Sequence, residues 1–167
     1  MRPRYPLFFL ISAIVLGLDL FTKKLALEQL AGVPAVEVIP GFFNLVLVHN
    51  RGAAFGFLND PESTWQIWLF LGVTLITIAI IVYLLRSVHQ NRLAFCGLAL
   101  ILGGAVGNLI DRLRYQAVVD FLDFYVGSWH WPAFNVADIG ICVGAGLTLL
   151  ALWQKPKNTR VKSRKAV

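Results

Sequence analysis

LAFCGLALILGGAVGNLIDR, residues 93–112, is an apolar run whose only charged residues, Asp111 and Arg112, stand at its end. Crossing the hydrocarbon core takes about 20 residues of α-helix, so this stretch reads as a transmembrane helix with Asn108, Asp111 and Arg112 gathered at one mouth. Residues 7–27, 65–85 and 136–153 repeat the pattern. With 57% hydrophobic and 14% charged residues, the composition is that of a membrane protein and excludes an ordinary soluble domain. The fold class expected is an α-helical integral membrane protein with four transmembrane helices and a small extracytoplasmic β-sheet, forming a single membrane domain over residues 1–167. Arg2 and Arg4 ahead of the first apolar run give it the look of a signal peptide. Asp19, Lys23 and Lys24 interrupt its end, however, and no small-x-small site closes it, so the helix is read as retained.

Charge placement orients the spans. Arg2, Arg4, Arg86, Arg92 and the tail cations Lys155, Lys157, Arg160, Lys162, Arg164 and Lys165 fall on one side, which carries no acidic residue. By the positive-inside rule that side, with both termini, is cytoplasmic. The net charge of +6 is therefore an orientation signal. The basic tail, residues 155–167, lacks interleaved aromatics and suits anchorage to anionic lipid rather than nucleic-acid binding. Cys96 and Cys142 lie at depths differing by roughly 16 Å at ~1.5 Å per helical residue, too far apart for a disulfide, and are read as packing residues.

The outward segments hold the turn-rich, irregular sequence where function is sought. In residues 28–64, Val36-Glu37-Val38-Ile39 and Phe42-Phe43-Asn44-Leu45-Val46-Leu47-Val48 flank Pro40-Gly41, the pattern of short strands or a hairpin. The second segment, residues 113–135, carries Tyr115, Tyr125, Trp129 and Trp131, and the two tryptophans read as an interfacial aromatic belt. Gly103 and Gly107, and Gly140 and Gly144, are spaced i, i+4, which predicts close packing of helices three and four.

That packing would bring Asn108 and Arg112, one turn apart, to the level of Asp120 and of the Asn135/Asp138 pair at the start of helix four. Two carboxylates in a dry site cannot both ionise cheaply, so such a pair holds one proton at neutral pH. It can then activate water with one oxygen and protonate a leaving amine with another, as in aspartic proteolysis. Other readings stand beside this one. Asp138 suits a helix N-terminus on dipole grounds alone, Asp123 can take the place of Asp120, and Asp19 with Lys23 forms an i, i+4 ion pair of structural character. Asn50-Arg51-Gly52-Ala53-Ala54-Phe55-Gly56 is either a turn or a segment presenting the Asn50 amide to a substrate backbone. His49 and His130 are separated from the cytoplasmic His89, and neither a His-Glu-x-x-His pair nor a Cys cluster exists, so no metal site is expected. Scattered serines offer no nucleophile motif. A proton relay for transport would need a carboxylate in the inner half of a helix, which the chain lacks. A scaffold binding a partner helix through Gly103 and Gly107 would tolerate Asp-to-Asn changes at positions 120 and 138.

Taken together, Asn50-Arg51-Gly52-Ala53-Ala54-Phe55, residues 103–112, Val119-Asp120-Phe121 and Phe134-Asn135-Val136-Ala137-Asp138 resemble the lipoprotein signal peptidase (signal peptidase II) family of bacterial membrane aspartic proteases. The resemblance runs from helix one to helix four. It implies four helices with cytoplasmic termini in the bacterial inner membrane, a small periplasmic sheet and an active site towards the periplasm. It also implies an endopeptidase that cuts diacylglyceryl-modified prolipoproteins before the lipidated cysteine. Asp120 and Asp138 would be the catalytic dyad, with Asp19, Lys23, Asn50, Gly104, Asn108, Arg112 and Asn135 supporting it or lining the site, and Asp111 a structural carboxylate nearby. No cofactor or metal is implied, and the partners are the lipid-modified substrate and the phospholipid bilayer, with the enzyme a monomer. The stretch between Phe121 and Trp131 matches no motif.

Overall fold

The computed structural model describes residues 5–52, 65–88 and 91–154 of the chain. Arg2, Arg4, residues 53–64, His89 and the basic tail lie outside the described residues, and with them the Ala53–Gly56 part of the motif after Asn50. Four helices, α1 (Tyr5–Gln29), α2 (Trp65–Val88), α3 (Arg92–Tyr115) and α4 (Val136–Trp153), are long and apolar enough to span a membrane. Strands β1 (Val36–Ile39), β2 (Phe43–Asn50), β3 (Val118–Val126) and β4 (Trp129–His130) form one antiparallel sheet in that order.

Helix α3 is the centre of the bundle, and the other three leave broad apolar faces for lipid. It starts at Asn91, whose side chain caps Leu93 N and Ala94 N. It ends at Gln116, a left-handed residue that turns the chain towards β3. Phe8, Ile81, Leu85, Phe95, Leu98 and Leu102 make the inner core joining α1, α2 and α3.

Small residues set how close the helices come: α3 and α4 pack closely and Gly144 faces α3 as expected, whereas Gly103 and Gly107 meet another neighbour. Gly103 and Gly107 face α1: a Cβ at Gly103 would meet the Ser12 carbonyl oxygen at 2.5 Å, and one at Gly107 would collide with the Asp19 carboxylate. The α3–α4 seam is made instead by Gly97 against Gly144, and by Gly104, where a Cβ would strike the Ala137 carbonyl. Glycine spacing identifies a smooth helix face, and the three-dimensional packing decides which neighbour occupies it.

The hairpin around Pro40-Gly41 forms as expected. Phe42 N bonds Ile39 O at 3.1 Å, with proline at the second turn position and Gly41 at φ +75° at the third, the residue pattern of a type II turn. Segment 113–135 is more than an aromatic belt, because residues 118–126 supply an inner strand of the sheet. Ala26 and Leu30 at the end of α1 pack on Phe121, which seats the sheet on the bundle. Residues 131–134 then run back along β3, with Phe134 bonded to Phe121 and Leu122, and deliver Asn135 to the start of α4. Cys142 is exposed on α4, so the packing role expected for it is not the one found.

Candidate active site

A single cation organises the buried floor of the site. Lys23 Nζ has three N–H donors and meets three acceptors: Asp19 Oδ2 at 2.8 Å, Asp111 Oδ2 at 2.8 Å and Asn108 Oδ1 at 2.9 Å. Lys23 is 2% exposed, so this is no surface ion pair between neighbouring turns. Asp19 Oδ2 receives no well-aligned hydrogen bond, and the adjacent ammonium compensates its charge. Its other oxygen accepts Ala137 N at 2.8 Å, tying α1 to the first turn of α4. Asp111 accepts Val119 N at 3.1 Å and so joins α3 to β3, a structural part larger than that of an ordinary interfacial residue.

Three asparagine amides are oriented by independent donors. Lysine can only donate, so Asn108 turns its oxygen to Lys23, and its Nδ2 donates to Asp138 Oδ1 at 2.8 Å. Asn135 Oδ1 accepts Asp138 N at 2.9 Å as the N-cap of α4, leaving Nδ2 to donate to Asp120 Oδ1 at 2.7 Å. Asn50 Oδ1 accepts Gly52 N at 3.0 Å, and its Nδ2 donates to Asp120 Oδ2 at 3.0 Å. The turn and the amide-donor readings of Asn50 are thus one structure. Asp138 Oδ2 completes a reciprocal capping box by accepting Asn135 N at 3.3 Å. Asn135, wholly buried, therefore touches both carboxylates.

Asp120 is 2% exposed, whereas Asp138 is half-buried. Burial, reinforced by the charge of Asp138 and opposed by the Asn50 and Asn135 amides, pushes the Asp120 carboxyl up to about 7. Both carboxylates line a cavity of about 460 Å³, together with Asn50, Asn108 and Arg112. Its remaining wall is largely apolar, with Ile139, Ile141, Cys142 and Val143 on the flank of α4. Arg112 lies over the Phe70 ring at 5.3 Å and bonds the Asn108 carbonyl at 3.5 Å. Among the described residues it makes no ion pair with a carboxylate. Gly104, on the same face of α3 as Asn108, lets α4 come close enough for the Asn108–Asp138 bond.

Two features were not read from the sequence in this form. Asp123 does not take the place of Asp120: it bonds Asn44 Nδ2 at 3.1 Å and His130 Nδ1 at 2.9 Å, away from Asp138. Trp131 lines the cavity rather than serving only as a belt residue.

The comparisons agree with one another. The family model for signal peptidase (SPase) II matches residues 11–154. The chain is 51% identical over 154 residues to the lipoprotein signal peptidase of Oleidesulfovibrio alaskensis, covering 92% of this chain and 99% of that one. It is 50% identical over 150 residues to that of Burkholderia vietnamiensis, covering 90% and 89%. A solved bacterial membrane enzyme, 31% identical, superposes with a TM-score of 0.76 over 97% of this chain and 94% of the other.

Proposed function

The chain belongs to the signal peptidase II family, and from that premise we propose that it removes the signal peptides of lipoproteins by aspartic catalysis at Asp120 and Asp138. The observation that carries the mechanism is the pair of carboxylates in one largely apolar cavity, held by amides whose own oxygens are each engaged by another donor. The cut falls before a diacylglyceryl-modified cysteine. One carboxylate takes a proton from water, and the hydroxide adds to the carbonyl carbon preceding that cysteine. The protonated partner then gives its proton to the amide nitrogen as the C–N bond breaks, leaving a new carboxyl terminus on the signal peptide and a free amine on the cysteine. The single proton belongs to the pair, in keeping with an Asp120 carboxyl near neutrality. Arg112, lining the cavity without a carboxylate partner among the described residues, is suited to the substrate carbonyl. Asp19, Lys23, Gly104, Asn108 and Asn135 position the two carboxylates, and Asn50 holds Asp120.

The apolar flank of α4 suits acyl chains that remain in the bilayer while the scissile amide reaches the rim. Charge placement favours cytoplasmic termini, hence a site facing the periplasm of an inner-membrane protein. The protein is read as a single-domain monomer, with Asp120, Asp138 and the residues that hold them carried by one chain. Purified protein in detergent should cleave a diacylglyceryl prolipoprotein and leave the unlipidated form essentially uncut. Asp120→Asn or Asp138→Asn should each abolish turnover, and activity in both variants would remove the dyad.

A further inference from the structure

Asp120 walls two cavities, not one. Beyond the apolar cavity described above lies a groove of about 700 Å³ on the sheet side, and Asn50, Asp120, Trp131, Pro132 and Ala133 border both. The groove differs in chemistry: its own walls include Asn44, Asp123 and His130. It lies over the irregularity in β2, where Val46 and Leu47 together oppose one residue of β3. Bulges of this kind re-aim side chains beside active sites.

We propose that this groove binds the first residues of the mature polypeptide, those that follow the lipidated cysteine, with Asn44 and His130 holding their main chain. The inference rests on the peptidase reading above. A lipid-modified substrate must divide at its cysteine: the acyl chains stay with the apolar cavity, while the polar chain downstream leaves for water. A carboxylate standing between a largely apolar cavity and a groove that adds Asn44, Asp123 and His130 to its walls matches that division. The mechanism leaves Asn44, Asp123 and His130 unused, yet they are held in place. Asp123 is held by Asn44 and by His130, whose ring stacks on Tyr125 with centroids 5.0 Å apart and planes 10° from parallel. Tyr125 is held in turn by a 2.7 Å bond to Glu37. A carboxylate oxygen at Nδ1 favours the tautomer that carries its proton there, and in that tautomer the half-exposed ring presents Nε2 as an acceptor. Asn44, having donated Nδ2, keeps its oxygen as an acceptor. Both therefore suit peptide N–H groups.

The test compares two diacylglyceryl substrates that share a signal sequence. One ends as an amide at the cysteine, and the other carries several downstream residues. For the wild type the shorter substrate should show a KM about tenfold higher with kcat within about twofold. In Asn44→Ala and His130→Ala that gap should shrink to about twofold. A gap that persists in both variants, or a wild type indifferent to length, overturns the inference. Failure of the wild type to cut either substrate overturns the peptidase reading instead. Independently of any variant, a diazirine side chain two residues after the cysteine should label Asn44, residues 46–48 or His130, which border the groove and not the apolar cavity. Labelling confined to residues 139–143 refutes the placement.

Discussion

Replacing Asp120 with Asn should abolish cleavage and make the protein relatively more stable as pH rises. Burial and the neighbouring Asp138 raise the Asp120 carboxyl from 3.8 to about 7 in the folded protein. The folded state thus keeps a proton that the unfolded chain releases above about pH 4, and folding is penalised by about 1.4 kcal/mol per pH unit until about pH 7. Below the unfolded value the penalty is absent, and above the folded value it is constant. Between pH 5 and pH 8 the wild type should lose about 3 kcal/mol from this group, a loss that an amide cannot show. The substituted amide carries a separate cost. It offers one acceptor oxygen where Asn50 and Asn135 both present Nδ2 donors, so one donor loses its partner, at about 1–3 kcal/mol independent of pH. The diagnostic quantity is therefore the change in the stability difference with pH, in which that constant cost cancels. Unfolding in mixed micelles, followed by tryptophan fluorescence at pH 5, 6, 7 and 8, measures it. A difference constant to within about 0.5 kcal/mol would mean that Asp120 titrates as an ordinary carboxylate, and the shared-proton mechanism would lose its physical basis.

Three further outcomes follow from the same geometry. If one proton on the pair is the active form, kcat/KM should fall about tenfold per pH unit above about pH 7, where Asp120 ionises; a flat profile to pH 9 would contradict it. Asn135→Ser keeps an N-cap for α4 but removes the Nδ2 bond to Asp120, so it should retain more stability than Asn135→Ala while losing roughly a hundredfold in kcat. Melting curves and turnover of the two variants decide this. Gly104→Ala places a methyl against the Ala137 carbonyl and should cost about 1–3 kcal/mol while drawing Asn108 from Asp138. Wild-type stability and kcat in this variant would show that the seam has slack.

What the sequence revealed, and what it hid, divides along physical lines. The four spans were legible because hydrocarbon thickness imposes a length and composition that few other structures share. The β1–β2 hairpin was legible because Pro40-Gly41 fixes its turn locally. Strand β3 was not, since its partner β2 lies some seventy residues earlier and its buried carboxylates at 120 and 123 break the two-residue alternation. Glycine spacing gave smooth faces without naming their neighbours, so Gly103 and Gly107 were expected on α4 and meet α1. The motifs drew attention to Asp19, Lys23, Asn108, Asn135 and Asp138, but nothing in their spacing shows that one lysine satisfies Asp19, Asp111 and Asn108 together. That required three segments of chain to meet.

The site sits at a helix end for a reason that precedes catalysis. The first N–H groups of a helix have no partner within it, and at the rim of a bilayer each group left bare costs several kcal/mol. Here Ala137 N is satisfied by Asp19 and Asp138 N by Asn135, while Asp138 returns a bond to Asn135 N. The strand start is treated alike, with Val119 N on Asp111. Starting α4 and β3 at this depth therefore already requires buried oxygens, and Lys23 answers the charge that two of them bring. Only Asp120 owes nothing to capping: both of its oxygens accept from amides that are themselves fixed by backbone bonds. The polar scaffold needed to close the fold thus also orients Asp120 and Asp138, and in the mechanism proposed above reactivity is added to it by one carboxylate placed where water is scarce.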